Sequence, residues 1–127
     1  MIGVVLVAHG NLASEFLAVA QHILGAQSSV DAISILGDED RAAVRQRIKD
    51  TVQSLDQGRG VIILTDLAGA SPFNLCDAAR AQAETRILFG MNLPMVLQIL
   101  RDRQKPMDIA IENALKAGKT YMNASPP

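Results

Sequence analysis

Tryptophan is absent, tyrosine occurs once and phenylalanine three times. With 49% of residues apolar, the core has to be aliphatic, built from Val, Ile, Leu, Ala and Met. Cysteine also occurs once, as Cys76. That excludes an internal disulfide and any zinc site made of several thiolates. No apolar stretch approaches the roughly 18 residues needed to cross a bilayer, so no membrane insertion is expected. The first apolar run is short and has no basic region before it, unlike a secretory signal. A cytoplasmic location is the expectation. A large charge excess is lacking too: the net charge of −1 argues against nucleic-acid binding through bulk charge. No metal or cofactor is called for by any motif.

What the chain does have is an alternation of strand-like and helix-like patterns in 127 residues, a length that suits one domain. Ile2 to Ala8 is nearly all apolar and rich in β-branched valine, the pattern of a fully buried strand. Leu12, Phe16, Val19, Ala20, Ile23 and Leu24 recur at helical spacing, and Gly25 is placed to end that helix. Val30 to Leu36 reads as a second strand. Asp38 to Asp56 reads as an amphipathic helix with Val44, Ile48, Val52 and Leu55 on one face. Its basic residues Arg41, Arg45, Arg47 and Lys49 read as a solvated side. Gly60 to Thr65 is a third strand, and Ser71-Pro72 opens a third helix with a favoured cap and first residue. Thr85 to Phe89 is a fourth strand, Asn92 to about Arg103 a fourth helix, and Asp108 to Ala117 a fifth. Strands alternating with helices predict a doubly wound, mainly parallel α/β sheet, with strand order 2-1-3-4. Residues 1–122 are expected to form the domain and 123–127 a frayed tail.

The first and third strands then lie side by side at the centre, and their connections leave in opposite directions. Ligands of open α/β sheets bind at such a switch point, beyond the carboxyl ends of the strands. His9 ends the first strand and Asp66 ends the third. A carboxylate that accepts one ring N–H fixes the imidazole tautomer. The other nitrogen is then free to act as a nucleophile. The helix start at Ser71 offers backbone N–H groups and a positive dipole end for an anion such as a phosphoryl group. Gly69 permits close backbone approach there, and Gly10 follows the histidine directly. Met91 and Met95 fall near the same edge, as core filling or as part of a docking rim. His22 reads as a surface or packing residue, and Cys76 as a small core residue.

Three blocks carry a family resemblance. Val7-Ala8-His9-Gly10, Thr65 to Asn74 (Thr-Asp-Leu-Ala-Gly-Ala-Ser-Pro-Phe-Asn) and Gly90-Met91-Asn92-Leu93-Pro94-Met95 resemble the mannose-family IIA component of the bacterial sugar phosphotransferase system. They occur in that family's order and spacing. The resemblance implies a phosphocarrier that takes a phosphoryl group from phospho-HPr and passes it to a IIB domain. It matches His9 to the phosphorylated histidine and Asp66 to the carboxylate that holds the ring. It matches Ser71 to a residue beside the phosphoryl group. The resemblance also implies a homodimer that exchanges a C-terminal strand as an antiparallel edge. The candidate segment for it here is Lys116 to Met122, a poor strand former by composition. Partner docking would then cover the carboxyl edge of the sheet, on an apolar rim drawn from Leu67, Ala68, Phe73, Met91 and Leu93.

Other functions share parts of this pattern. The phosphotransfer subunit of dihydroxyacetone kinase has a similar histidine domain, although Ser71-Pro72-Phe73-Asn74 favours the sugar system. A histidine phosphatase needs Arg directly before its nucleophile, where this chain has Ala8. A receiver domain, a non-enzymatic signalling switch, needs acidic residues at the end of the first strand, where this chain has none.

Overall fold

The computed structural model describes residues 1–67, 76 and 84–127. Four strands are present among them: β1 (Gly3–His9), β2 (Val30–Ile35), β3 (Val61–Thr65) and β4 (Thr85–Leu88). Four helices accompany them: α1 (Leu12–Leu24), α2 (Arg41–Leu55), α3 (Leu93–Arg101) and α4 (Met107–Thr120). The strands form one parallel sheet in the order β2-β1-β3-β4, the topology expected from the sequence. The helix expected at Ser71-Pro72 lies outside the described residues.

Two cores flank the sheet because successive strand residues point to opposite faces. Val4, Leu6 and Ala8 of β1 pack with Ile62 and Leu64 of β3 and with α1, α3 and α4. On the other face, Val5 and Val7 of β1 pack with Val61 and Ile63 of β3, with Cys76, and with Val44, Ile48 and Val52 of α2. Every residue of β1 before His9 is buried, as is all of β3. Both strands are therefore apolar without alternation, as a sheet covered on both faces requires. Gly3 is fixed by this packing: a Cβ there would lie 2.7 Å from the Leu55 carbonyl oxygen at the end of α2. Among the described residues no helix is long and apolar enough to cross a membrane.

Two local expectations are corrected. Lys116 to Met122 is not an edge strand, because α4 continues through Thr120. Ala114 and Gly118 are buried along it, and the Thr120 hydroxyl donates to the Lys116 carbonyl at 2.7 Å. Packing on one helical face outweighs the poor helix propensity of Gly and Thr. The helix after β4 stops at Arg101 rather than Arg103. The Asp102 N–H bonds the carbonyls of Gln98 and Ile99 as the helix closes, and Arg103 turns inward.

Arg103 joins the amino ends of the fold. Its guanidinium donates to the carbonyls of Ile2 (2.9 Å), Ser29 (2.6 Å) and Ser28, while its own carbonyl accepts the Ile2 N–H at 2.9 Å. The residue is 4% exposed, and burial draws the guanidinium below its ordinary pKa. Arg103→Ala leaves these carbonyls without their donors. Losing charged hydrogen bonds from a buried site should cost about 2–3 kcal/mol, which is roughly 10 °C in melting temperature for a domain of this size. Thermal unfolding followed by circular dichroism checks this. A melting temperature unchanged in the variant would show that water or the relaxed chain replaces the guanidinium at no cost.

Candidate functional site

The register of the sheet brings two candidate side chains together. Val7 of β1 pairs with Thr65 of β3, so His9 and Asp66, just beyond that pair, meet at the carboxyl edge. The His9 Nδ1 lies 2.8 Å from Asp66 Oδ2, and the His9 backbone N–H donates to the same oxygen at 3.1 Å. Asp66 Oδ1 accepts the Leu67 backbone N–H at 2.9 Å. The side chains differ in access: His9 is 51% exposed and Asp66 12%.

The ionisation of Asp66 fixes the state of the ring. Partial burial pushes its carboxyl up, but the His9 ring and backbone donors, the charge of His9 and the Leu67 N–H together hold it below the usual carboxylate range. Asp66 is therefore an anion at neutral pH and can only accept. The proton between the two groups belongs to Nδ1, which leaves Nε2 as the basic nitrogen of a half-exposed ring. Such a group can attack an electrophile and carry it covalently. The carboxylate can stabilise the positive charge that the ring gains.

Gly10 completes the strand end. Its φ is +55°, a conformation that favours glycine, and its N–H donates to the Ile35 carbonyl at 2.9 Å. The chain thereby turns sharply away from β1 and leaves the ring uncovered. Gly69 and Ser71, expected beside the anion, lie outside the described residues, as do Ala68 and Phe73 of the expected rim. Leu67 is 60% exposed at this edge. Phe89, which the sequence pattern did not single out, is 51% exposed at the end of β4. Met91 and Met95 do not belong to a rim: both are buried in the core shared with α3 and α4. Leu93 is half-buried.

The remaining reactive groups stand apart. His22 is exposed in the last turn of α1. Cys76 is buried and its thiol is pushed up to about 12 by desolvation, so it stays a protonated core residue. Among the described residues no three His, Cys, Asp or Glu side chains group to hold a metal ion. A groove of about 620 Å³ between α3 and α4, lined by Leu97, Arg101, Lys116 and Tyr121 among others, includes neither His9 nor Asp66.

Residues 3–115 match a family model described as EIIA-man, PTS system fructose IIA component. The PTS system mannose-specific EIIAB component of Escherichia coli (strain K12) is 29% identical over 126 residues, which is 97% of this chain. The chain spans 39% of that relative's length. Among solved structures, the phosphotransferase system component EIIA from Streptococcus agalactiae superposes with a TM-score of 0.87 at 25% identity, covering 98% of this chain and 97% of the other. A PTS IIA protein associated with the fucose utilization operon of Streptococcus pneumoniae superposes with a TM-score of 0.79 at 26% identity, covering 91% and 89%.

Proposed function

The chain belongs to the EIIA-man family of sugar phosphotransferase-system IIA components, and from that membership we propose that it is a cytoplasmic phosphocarrier with His9 as its phosphoryl acceptor. The donor is phospho-HPr and the acceptor is a IIB domain. The single observation that supports this most is the 2.8 Å contact between His9 Nδ1 and Asp66 Oδ2, which directs Nδ1 to the carboxylate and leaves Nε2 as the other nitrogen of a half-exposed ring. In the first step Nε2 attacks the phosphorus, the P–N bond to the donor's histidine breaks, and a P–Nε2 bond forms. Nδ1–H stays donated to Asp66, whose charge offsets that of the phosphorylated ring. In the second step the IIB nucleophile takes the phosphoryl group and His9 returns to its neutral form. Gly10, Gly69 and Ser71 are the backbone and hydroxyl groups proposed to line the phosphoryl group. The relatives' names carry different sugars, so the reading attaches to the carrier step.

The open site suits a protein-borne substrate. A ring that is half exposed at a sheet edge can be reached by a histidine on another protein, which a deep pocket would exclude. Exposed Leu67 and Phe89 flank the edge and supply apolar surface for a transient contact. The test is incubation with labelled phospho-HPr. Acid-labile label on His9 is the expected result; label confined to any other residue would overturn the assignment.

A homodimer is also proposed. β4 ends the sheet with no strand beyond it among the described residues, and an open edge invites pairing. Sedimentation equilibrium at micromolar concentration should give about twice the chain mass of 13.6 kDa. A monomer mass throughout the concentration range would contradict it.

A further inference from the structure

The block Gly90 to Met95 has no part in the steps above, yet it is tied to them by hydrogen bonds. The Gly90 N–H donates to the Asp66 carbonyl at 3.1 Å, and the Met91 N–H donates to the Thr65 carbonyl at 3.0 Å. The backbone at the end of β3 is thus held by the turn that follows β4. Gly90 has φ +74°, which lets the chain reverse closely enough to make both bonds.

Asn92 holds that turn in place. Its Oδ1 accepts the Met95 N–H at 3.1 Å, an ordinary cap at the start of α3. Its Nδ2 does something a cap does not require: it donates to the Gly118 carbonyl on α4 at 2.8 Å. Gly118 is buried there, and a Cβ on it would lie 3.4 Å from both Asn92 Oδ1 and Met95 Cε. The asparagine therefore bridges the start of α3 and the last turns of α4. It does so one residue from the turn that grips Asp66.

We propose that Asn92 is a positioning residue for His9, acting through the Gly90–Met91 turn and the Asp66 backbone to aim the carboxylate at the ring. The proposal rests on the phosphocarrier reading. A carboxylate that sets a tautomer and offsets a developing charge must be held within about 0.5 Å of its productive place. The turn supplies that constraint from the side of Asp66 opposite His9's strand. The side-chain hydrogen bonds of Asn92 go to Met95 and Gly118, not to the ring.

The two roles of Asn92 can be separated. Asn92→Asp keeps a cap of equal quality but cannot donate to the Gly118 carbonyl. Asn92→Ser keeps a capping oxygen, adds no charge, and also loses the amide donor. Both variants should retain the circular dichroism spectrum of the parent. In both, the ring nitrogen resonances of His9 should move toward those of a free imidazole exchanging between tautomers. Transfer from phospho-HPr should fall about tenfold in kcat, with KM for HPr unchanged, a loss within the range of small misplacements. Parent-like ring resonances in both folded variants would overturn the proposal, whatever the rate, because Asn92 would then be a cap alone. Moved resonances with an unchanged kcat would overturn it equally. If the parent chain takes no label from phospho-HPr, the carrier reading fails. The ring resonances then decide by themselves whether Asn92 positions the pair.

Discussion

A His9→Ala variant is expected to fold like the parent chain and to take no label from phospho-HPr. The fold should survive because the imidazole is half exposed and its part-buried partner Asp66 keeps the backbone N–H of Leu67 as a donor. The backbone bond from residue 9 to Asp66 Oδ2 does not depend on the side chain and remains. With both backbone donors still on Asp66, the melting temperature should change little. Loss of label follows from the lack of another suitable nucleophile among the described residues. Cys76 is buried with its thiol pushed up to about 12. His22 stands in the last turn of α1, without the carboxylate that fixes a tautomer. A covalent carrier without its acceptor atom has no intermediate to pass on, so this loss should be complete rather than partial. Label reaching the variant at the parent's rate would overturn the assignment and direct attention to His22.

The parts of this site that were legible in the sequence are those set by strand burial. β1 and β3 are covered on both faces, so their apolar runs stop where the sheet meets solvent, and His9 and Asp66 stand at those stops. Sheet order followed from the alternation of strands and helices with right-handed connections. What was not legible depends on contacts between distant segments. Gly118 looks like a helix breaker, yet α4 runs through it because its small size lets Asn92 and Met95 pack close. Met91 and Met95 sit near the carboxyl edge in sequence order, but the turn after β4 and the first turn of α3 carry their side chains into the core. Arg103 has no local pattern that marks it as buried. Its partners at Ser28 and Ser29 lie 75 and 74 residues away, and folding alone brings them together. The bond from Asn92 to Gly118, 26 residues apart, was hidden for the same reason, although the block that contains Asn92 was visible.

Asp66→Asn should leave the fold intact and slow phosphoryl transfer by about 10²–10³-fold, the usual cost of removing one electrostatic contact to a developing charge. The amide is nearly isosteric. Its oxygen can still accept a backbone N–H from His9 or Leu67, as the carboxylate does now. Two things change. The ring loses an anion at 2.8 Å when it becomes positively charged on phosphorylation. An amide that turns its NH₂ toward the ring also donates to Nδ1, which moves the ring proton to Nε2 and blocks the nucleophile. Rapid-quench measurement of label transfer should show the loss in the chemical step, with binding of HPr unchanged. The pH dependence gives an independent check. Because the Asp66 carboxyl lies below its usual range, the stability contributed by its pairing is complete above the unfolded carboxyl value of about 3.9. It is lost only as pH falls through the lower folded value. The Asn variant lacks that ionisation, so its unfolding in acid should no longer carry this contribution. Parent-like transfer kinetics in Asp66→Asn would mean that the carboxylate serves only to cap the turn after β3, and that His9 acts without it.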